Sequence, residues 1–157
     1  MMNSEMFSNR PSRALPNWIL AAFLVVGFVG FADTAYLTVK HYSGAPLECS
    51  IFKGCEKVTT SRYATMGGVP LALLGLVYYL AIILLTIAYL DTRREGIFLF
   101  TARVTTVGFL SSAWFVYLQL YVIRAVCPYC MISAGASTIL FVLGVIALQS
   151  PRSSKSG

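Results

Sequence analysis

The sequence predicts an all-α integral membrane protein: a bundle of four transmembrane helices with a long extracytoplasmic loop between the first two. Its 157 residues suit a single domain. Hydrophobic residues make up 57% of the chain and charged residues only 11%, whereas soluble domains average about 25% charged residues. A chain this apolar cannot cover itself with polar groups on every side, so we expect lipid to surround it.

Four apolar stretches supply the predicted helices, at residues 18–39, 68–90, 97–122 and 127–149. Each reaches or exceeds the roughly 20 residues that an α-helix needs to cross a bilayer. Backbone groups inside lipid have to be hydrogen-bonded within their own segment, which favours helices. The sequence shows no two-residue alternation of apolar and polar side chains that would favour a β-barrel.

The connections between these stretches differ in length. Residues 40–67 form a long polar loop that contains two cysteines, proline and glycine, and loops of this length are often functional. Residues 91–96 predict a tight polar turn, and residues 123–126 form a still shorter break. The polar tail at 150–157 is predicted to be disordered. The whole chain is therefore predicted to be one membrane domain.

The charges predict the orientation in the membrane. The net charge is +6, but the basic residues form neither a polybasic arm nor a stripe interleaved with aromatic residues, so nucleic-acid binding is not predicted. Basic residues favour the cytoplasmic side of spanning helices. Both termini are therefore predicted to be cytoplasmic, although the long loop is itself basic. Six basic residues fall on that side of a four-span chain: Arg10, Arg13, Arg93, Arg94, Arg152 and Lys155.

The first apolar stretch has a second interpretation, a signal peptide cleaved near Ala32 or Ala35. The stretch is long for such a segment, and Asp33 and Tyr36 occupy positions where a cleavage site needs small residues. We therefore interpret this stretch as a spanning helix.

The four cysteines are predicted to lie on one membrane face. Cys49 and Cys55 follow the first span, and Cys127 and Cys130 follow the third. An odd number of crossings separates each pair from the N-terminus, so this prediction holds for either orientation. With cytoplasmic termini, all four cysteines face an extracytoplasmic compartment in which disulfides persist.

The motif CPYC at 127–130 is typical of redox dithiols. It opens the fourth helix, with Pro128 in a first-turn position that tolerates proline. The N-terminus of a helix stabilises a thiolate, and residues three apart share a helix face, so this pair can close into a disulfide. The sequence around it predicts no strands, which argues against a thioredoxin-like domain.

Two structural interpretations of the loop cysteines remain open. Cys49 and Cys55 can form a static disulfide that restrains the loop, or all four cysteines can bind zinc. The C-x5-C spacing disfavours zinc, and no metal site is predicted. Two dithiols on one face instead favour a relay, in which a thiolate attacks the neighbouring disulfide.

A relay needs an electron acceptor, and the sequence has no haem-ligand pair and no glycine-rich dinucleotide motif. A quinone dissolved in the membrane requires no such motif. Trp114, Tyr117 and Tyr121 are candidates to line its pocket, although spanning helices also carry Trp and Tyr at the lipid interface. Asp33 lies in the outer part of the first span, where a carboxylate is costly and often functional, unless it sits at the membrane interface or pairs with Lys40.

The cysteine spacings, Ser61 and the start of the second apolar stretch occur in an order that is similar to that of a known protein family. The loop C-x5-C is followed six residues later by Ser61, then by GVPLALLGLVYY, and finally by the C-x-x-C that opens the fourth helix. In this order, and with DTAYLTVKHY before the loop, the chain resembles the vitamin K epoxide reductase family from about residue 30 to about residue 140.

The resemblance implies a four-helix bundle around a quinone, either ubiquinone or menaquinone. Cys127 and Cys130 would form the redox centre, with Cys130 as the thiolate that faces the quinone ring. Cys49 would react with a thiol partner, and Cys55 would exchange with Cys127. Ser61 would hydrogen-bond a quinone oxygen; from the sequence alone, it is equally a candidate helix N-cap.

The loop is similar to that of bacterial members, which implies a multi-pass protein of the bacterial inner membrane that acts as a counterpart of DsbB. The expected function is a quinone-dependent thiol-disulfide oxidoreductase that reoxidises a separate thioredoxin-like or DsbA-like protein, since no such domain follows in this sequence. Two alternatives remain. One is a quinone or quinone epoxide reductase of the vitamin K cycle type, and the other is a non-catalytic membrane scaffold with structural disulfides.

Overall fold

The computed structural model describes residues 15–44 and 54–149, except for the side chain of Glu56. Cys49 and the predicted tail at 150–157 lie outside this part of the chain. A π-helical turn at Leu118–Ile123 continues α4. The remaining elements are α1 (Asn17–Ser43), α2 (Cys55–Thr59), β1 (Thr65–Met66), β2 (Val69–Pro70), α3 (Leu71–Thr92), α4 (Glu95–Tyr117) and α5 (Pro128–Gln149).

Four helical segments of the described chain are long and apolar enough to cross a membrane: α1, α3, α4 with its π-helical turn, and α5. They are apolar on all sides, as expected of helices that face a packed interior on one side and lipid on the other. The predicted fold class, a membrane bundle of four helices, is confirmed.

Two boundaries next to the long loop differ from the prediction. Helix α1 continues to Ser43 and ends where Gly44 adopts a left-handed conformation with φ of 63°, as is common after a helix C-terminus. Helix α3 begins only at Leu71, because β1 and β2 form a tight hairpin before it. Gly67 and Gly68 make this hairpin possible, with φ of 59° and 85°.

The interior is packed most tightly towards the chain termini. The buried side chains of this core come from all four spanning helices. Glycine allows close helix approach nearby, since a Cβ atom on Gly30 would collide with the ring of Tyr79. The core contains Ile19, Leu20, Phe23, Tyr79, Ile82, Tyr89, Phe98, Leu140 and Ala147.

Candidate functional site: a dithiol beside a cavity

The CPYC motif lies at the N-terminus of α5, which begins at Pro128. The carbonyl of Cys127 accepts a hydrogen bond from Met131 N–H at 3.0 Å. The Sγ atom of Cys127 accepts another from Cys130 N–H at 3.4 Å. The sulfur therefore satisfies one of the N–H groups that a helix leaves unpaired at its start.

Cys127 and Cys130 are both free thiols, and they differ in environment. Cys127 is fully buried, whereas Cys130 is half-buried. A hydrogen bond from the Cys130 side chain, aided by the N–H groups of Cys130 and Tyr129, outweighs burial and lowers the pKa of Cys127 from 9.0 to about 7. In this reduced dithiol the thiolate is therefore favoured on Cys127, whereas the family resemblance assigns it to Cys130.

The short helix α2 places Cys55 next to Cys127 of the CPYC motif. Cys55 is only 1% exposed and is disulfide-bonded, while Cys49 lies outside the described residues. The preceding Gly54 is packed so closely that a Cβ atom there would lie 2.7 Å from the Val126 carbonyl oxygen. Cys55 belongs to a buried cluster with Val58 and Cys127, against which Ile123, Ala125, Tyr129 and Cys130 pack.

A cavity of about 720 Å³ lies within the bundle. It adjoins the dithiol on the side away from Cys55. Its walls come from the four spanning segments and from the segment 58–66. Cys130 lines it and Cys127 does not, so one thiol faces the cavity and the other faces Cys55. The volume falls in the usual range for small-molecule sites. Polar lining residues within the bundle are Thr34, Tyr78, Tyr79, Ser111, Ser112, Gln119, Ser133 and Ser137.

Residues 21–145 match the Vitamin K epoxide reductase family. The chain belongs to this family. It is also similar to the thiol-disulfide oxidoreductase LTO1 of Arabidopsis thaliana, with 34% identity over 122 residues, which cover 72% of this chain and 32% of the relative. The chain thus spans about a third of the length of that relative. The resemblance inferred from the cysteine pattern and the GVPLALLG stretch is confirmed.

Ser61, which the resemblance to the vitamin K epoxide reductase family marks as a quinone contact, lines the cavity. Its hydroxyl donates to the Val58 carbonyl at 2.8 Å. The alternative role as a helix N-cap does not apply, because α3 starts ten residues later, directly after Pro70. Ser61 and Cys130 are therefore the two predicted quinone contacts that this structure brings to one cavity.

Trp114 and Tyr117 do not line that cavity. Both rings lie on the outer face of α4, 59% and 49% exposed, and they stack with centroids 5.8 Å apart. Tyr121 extends the stack, 5.0 Å from Tyr117. Their spacing keeps all three rings on the side of the helix that faces away from the bundle. This position is typical of an aromatic belt at the membrane interface, the alternative that the sequence left open.

Some residues of the site were not found from the sequence. The amide oxygen of Gln119 accepts a hydrogen bond from Cys127 N–H at 3.1 Å. Tyr78 and Ser137 place their hydroxyl oxygens 3.5 Å apart at the cavity wall. The only signal for Gln119 was a polar residue within an apolar stretch, and nothing in the pattern predicts the π-helical turn that carries it.

Asp33 is half-buried on α1, close enough to the dithiol for its charge to affect Cys127. Its Oδ2 atom is buried and has no hydrogen-bond partner among the described residues. Lys40, which the sequence offered as an alternative ion-pair partner, places its Nζ atom 5.7 Å from the centroid of the Tyr36 ring. Asp33 therefore lies near the CPYC dithiol as a carboxyl group without an ion-pair partner among the described residues.

Proposed function

We propose that this protein is a quinone-dependent thiol-disulfide oxidoreductase of a bacterial inner membrane, which reoxidises a separate thioredoxin-like or DsbA-like protein. One observation carries the proposal. Cys127 contacts the buried cluster of Cys55, while Cys130 lines the cavity. The dithiol thus lies between a disulfide-bonded loop cysteine and a site for a small molecule. Family membership and the thiol-disulfide oxidoreductase relative support thiol chemistry.

The first exchange transfers two electrons from the partner to the loop. A partner thiolate attacks Cys49 in a Cys49–Cys55 disulfide, and Cys55 leaves as a thiolate. The second partner thiol then attacks the mixed disulfide, so the partner becomes oxidised and the loop carries two thiols. Cys49 belongs to the proposal because it shares the loop with Cys55.

The second exchange moves the electrons to the CPYC motif. The Cys55 thiolate attacks Cys127 in a Cys127–Cys130 disulfide, and Cys130 leaves as a thiolate. Cys49 then attacks Cys55, which restores the loop disulfide and releases Cys127. The depressed pKa of Cys127 makes it a good leaving group in this last step. The disulfide bond of Cys55 and the free thiols of Cys127 and Cys130 support this order of exchange, because the last step leaves the cysteines in that state.

The cavity suits a quinone ring. Its walls are largely apolar, and residues with hydroxyl groups line it, among them Ser61, Tyr78 and Ser137. A quinone bound there, ubiquinone or menaquinone, would accept the two electrons and two protons of the dithiol. The chain itself supplies apolar walls that exclude water, hydroxyls that orient polar atoms, and a half-buried Cys130 at the wall.

The decisive experiment adds a small dithiol and a soluble quinone to the purified, detergent-solubilised protein and follows quinone absorbance. Wild-type protein should reduce the quinone, and Cys130→Ala should abolish this reduction because the cavity-facing thiol is missing. Thr138→Ala is the matched control, since Thr138 is an exposed residue further along the same helix that bonds only to its own helix backbone. A folded wild-type protein that reduces none of the quinones tried would contradict the proposal.

The division of roles between the cysteines needs a second variant. Cys49→Ala should block turnover of a thioredoxin-like partner on the order of 100-fold or more, because thiol-disulfide exchange requires a sulfur at the point of attack. A small dithiol that reaches the CPYC disulfide directly should still support quinone reduction. Equal loss with both donors in Cys49→Ala would argue against the proposed order of exchange.

Quinone epoxide is a second candidate substrate, which the name of the matched family suggests. The same cavity and dithiol would serve either substrate, so a direct assay of epoxide turnover with a small dithiol separates them. Turnover of an epoxide without reduction of a quinone would favour this candidate. A purely structural role for the cysteines has less support, because Cys127 and Cys130 are free thiols and Cys127 packs in one buried cluster with Cys55.

A further inference from the structure

Gln119 is the most deeply buried polar side chain on the π-helical turn. The residue is only 4% exposed. Its backbone carbonyl accepts hydrogen bonds from the N–H groups of Arg124 and Ala125, the latter at 3.1 Å. Arg124 adopts a left-handed conformation with φ of 52°, which reverses the chain direction. The connection from α4 to the CPYC motif therefore wraps around Gln119.

The side chain of Gln119 reaches two functional parts of the protein. Its Oε1 atom accepts the hydrogen bond from Cys127 N–H at 3.1 Å. The same residue lines the cavity that Cys130 also lines. A carboxamide has one oxygen acceptor and two N–H donors on one rigid plane. With the oxygen engaged by Cys127, the donors remain for a group inside the cavity.

π-Helical turns are rare and are found frequently at functional sites. An ordinary α-helix through residues 118–123 would turn Gln119 by a different angle relative to Cys127 and the cavity. The π-helical turn therefore sets the position from which Gln119 accepts the hydrogen bond of Cys127 and lines the cavity.

We propose that Gln119 is a positioning residue that couples ligand binding to the redox dithiol. Its Oε1 atom holds the Cys127 backbone, and its Nε2 atom donates a hydrogen bond to a carbonyl oxygen of a quinone-type ring in the cavity. This inference rests on the proposed function. A carbonyl bound to Nε2 polarises the carboxamide and strengthens its bond to Cys127 N–H, so occupancy of the cavity fixes the CPYC motif in the geometry described.

Two substitutions separate the two ends of the carboxamide. Gln119→Glu has nearly the same shape, keeps an acceptor for Cys127 N–H and loses the paired N–H donors. Gln119→Leu loses both ends. Gln149→Glu is the matched control, because Gln149 is exposed at the end of α5, far from the dithiol along the helix.

The first measurement is protection of Cys130 from a maleimide by a short-chain ubiquinone analogue, quantified by mass spectrometry. We expect the analogue concentration for half-protection to rise on the order of tenfold in Gln119→Glu, the loss of one good hydrogen bond. The rate of labelling without analogue should stay close to that of wild type. Gln119→Leu should change both quantities, and Gln149→Glu neither.

The second measurement uses the wild-type protein and does not depend on a variant folding. Addition of the analogue should slow hydrogen exchange of the Cys127 amide, with no effect on the turn at residues 91–96. Wild-type protection with an unchanged Gln119→Glu curve, or with unchanged exchange at Cys127, would overturn the role of Gln119 and leave the proposed function intact. If no quinone analogue protects Cys130 in wild type, the proposed function itself fails.

Discussion

The two ends of the bundle are built by the same four spanning helices but have very different interiors. The packed end contains Ile19, Phe23, Tyr89, Phe98 and Ala147, which fill the space between the helices near the chain termini. The open end contains the cavity, the CPYC motif and the cluster around Cys55. The same spanning helices build both ends, so the difference comes from side-chain size and helix geometry rather than from hydropathy.

Two neighbouring tyrosines on α3 mark the boundary between the ends. Tyr79 is buried against Gly30, and its hydroxyl donates to the Ser133 carbonyl at 2.5 Å. Tyr78 packs against Gly108, and both tyrosines line the cavity. Large rings opposite glycines close the bundle at this level, whereas serines and alanines beyond it leave space. Rigid packing at one end therefore supports a preformed site at the other.

The largest effect that we expect concerns the open end, where the Cys130 thiol donates a hydrogen bond to Cys127. Cys130→Ser retains a donor, whereas Cys130→Ala removes it. The thiolate titration of Cys127, followed by ultraviolet absorbance, should keep a midpoint near 7 in Cys130→Ser. In Cys130→Ala it should move towards the ordinary pKa of 9.0. Identical titrations of the two variants would show that the hydrogen bond is not the cause.

The same depressed pKa links stability of the reduced protein to pH. Cys127 binds its proton less tightly in the folded state, so its contribution to stability is fully present above the ordinary pKa of 9.0. It is lost as the pH falls through about 7. The Cys130→Ser protein should therefore become more stable than Cys130→Ala as the pH rises through this window, as measured by thermal unfolding.

A smaller effect is expected at the boundary between the ends. A Cβ atom on Gly30 would collide with the Tyr79 ring, so Gly30→Ala should destabilise the bundle by about 1–3 kcal/mol, a typical cost of overpacking. Gly135→Ala is the matched control, because a Cβ atom there meets nothing within 4 Å. Thermal unfolding in detergent measures both. Equal stability of the two variants would mean that the Tyr79 ring can move aside to accommodate the added Cβ atom, and that packing at this boundary is adaptable.

The comparison also shows what the sequence can predict. The four spans, and the meeting of Cys55 with the CPYC motif, follow from hydropathy and from counting crossings, neither of which depends on how a helix is rotated. Cavity lining depends on rotation and on packing between helices. Trp114 and Tyr117 therefore face outwards although their residue types suit a pocket, and Gln119 reaches Cys127 only through a π-helical turn that no periodicity predicts.

The smallest expected effect tests the remaining charged group near the open end. The carboxylate of Asp33 opposes a negative charge on Cys127, but it ranks last among the causes that set this pKa. Asp33→Asn in the Cys130→Ser background should therefore lower the titration midpoint of Cys127 by only a fraction of a pH unit. Asp91→Asn, at the exposed C-terminal end of α3, is the control of identical chemistry and should leave the midpoint unchanged.

The direction of the Asp33 effect is more informative than its size. If Asp33 acted only by packing, its replacement would loosen the dithiol and raise the midpoint, as the loss of a hydrogen bond does. If it acts by charge, the midpoint falls and thiolate becomes more abundant at neutral pH. A rise in Asp33→Asn would thus contradict the electrostatic role, and a fall would show that a charge on α1 tunes the same thiol that the Cys130 hydrogen bond activates.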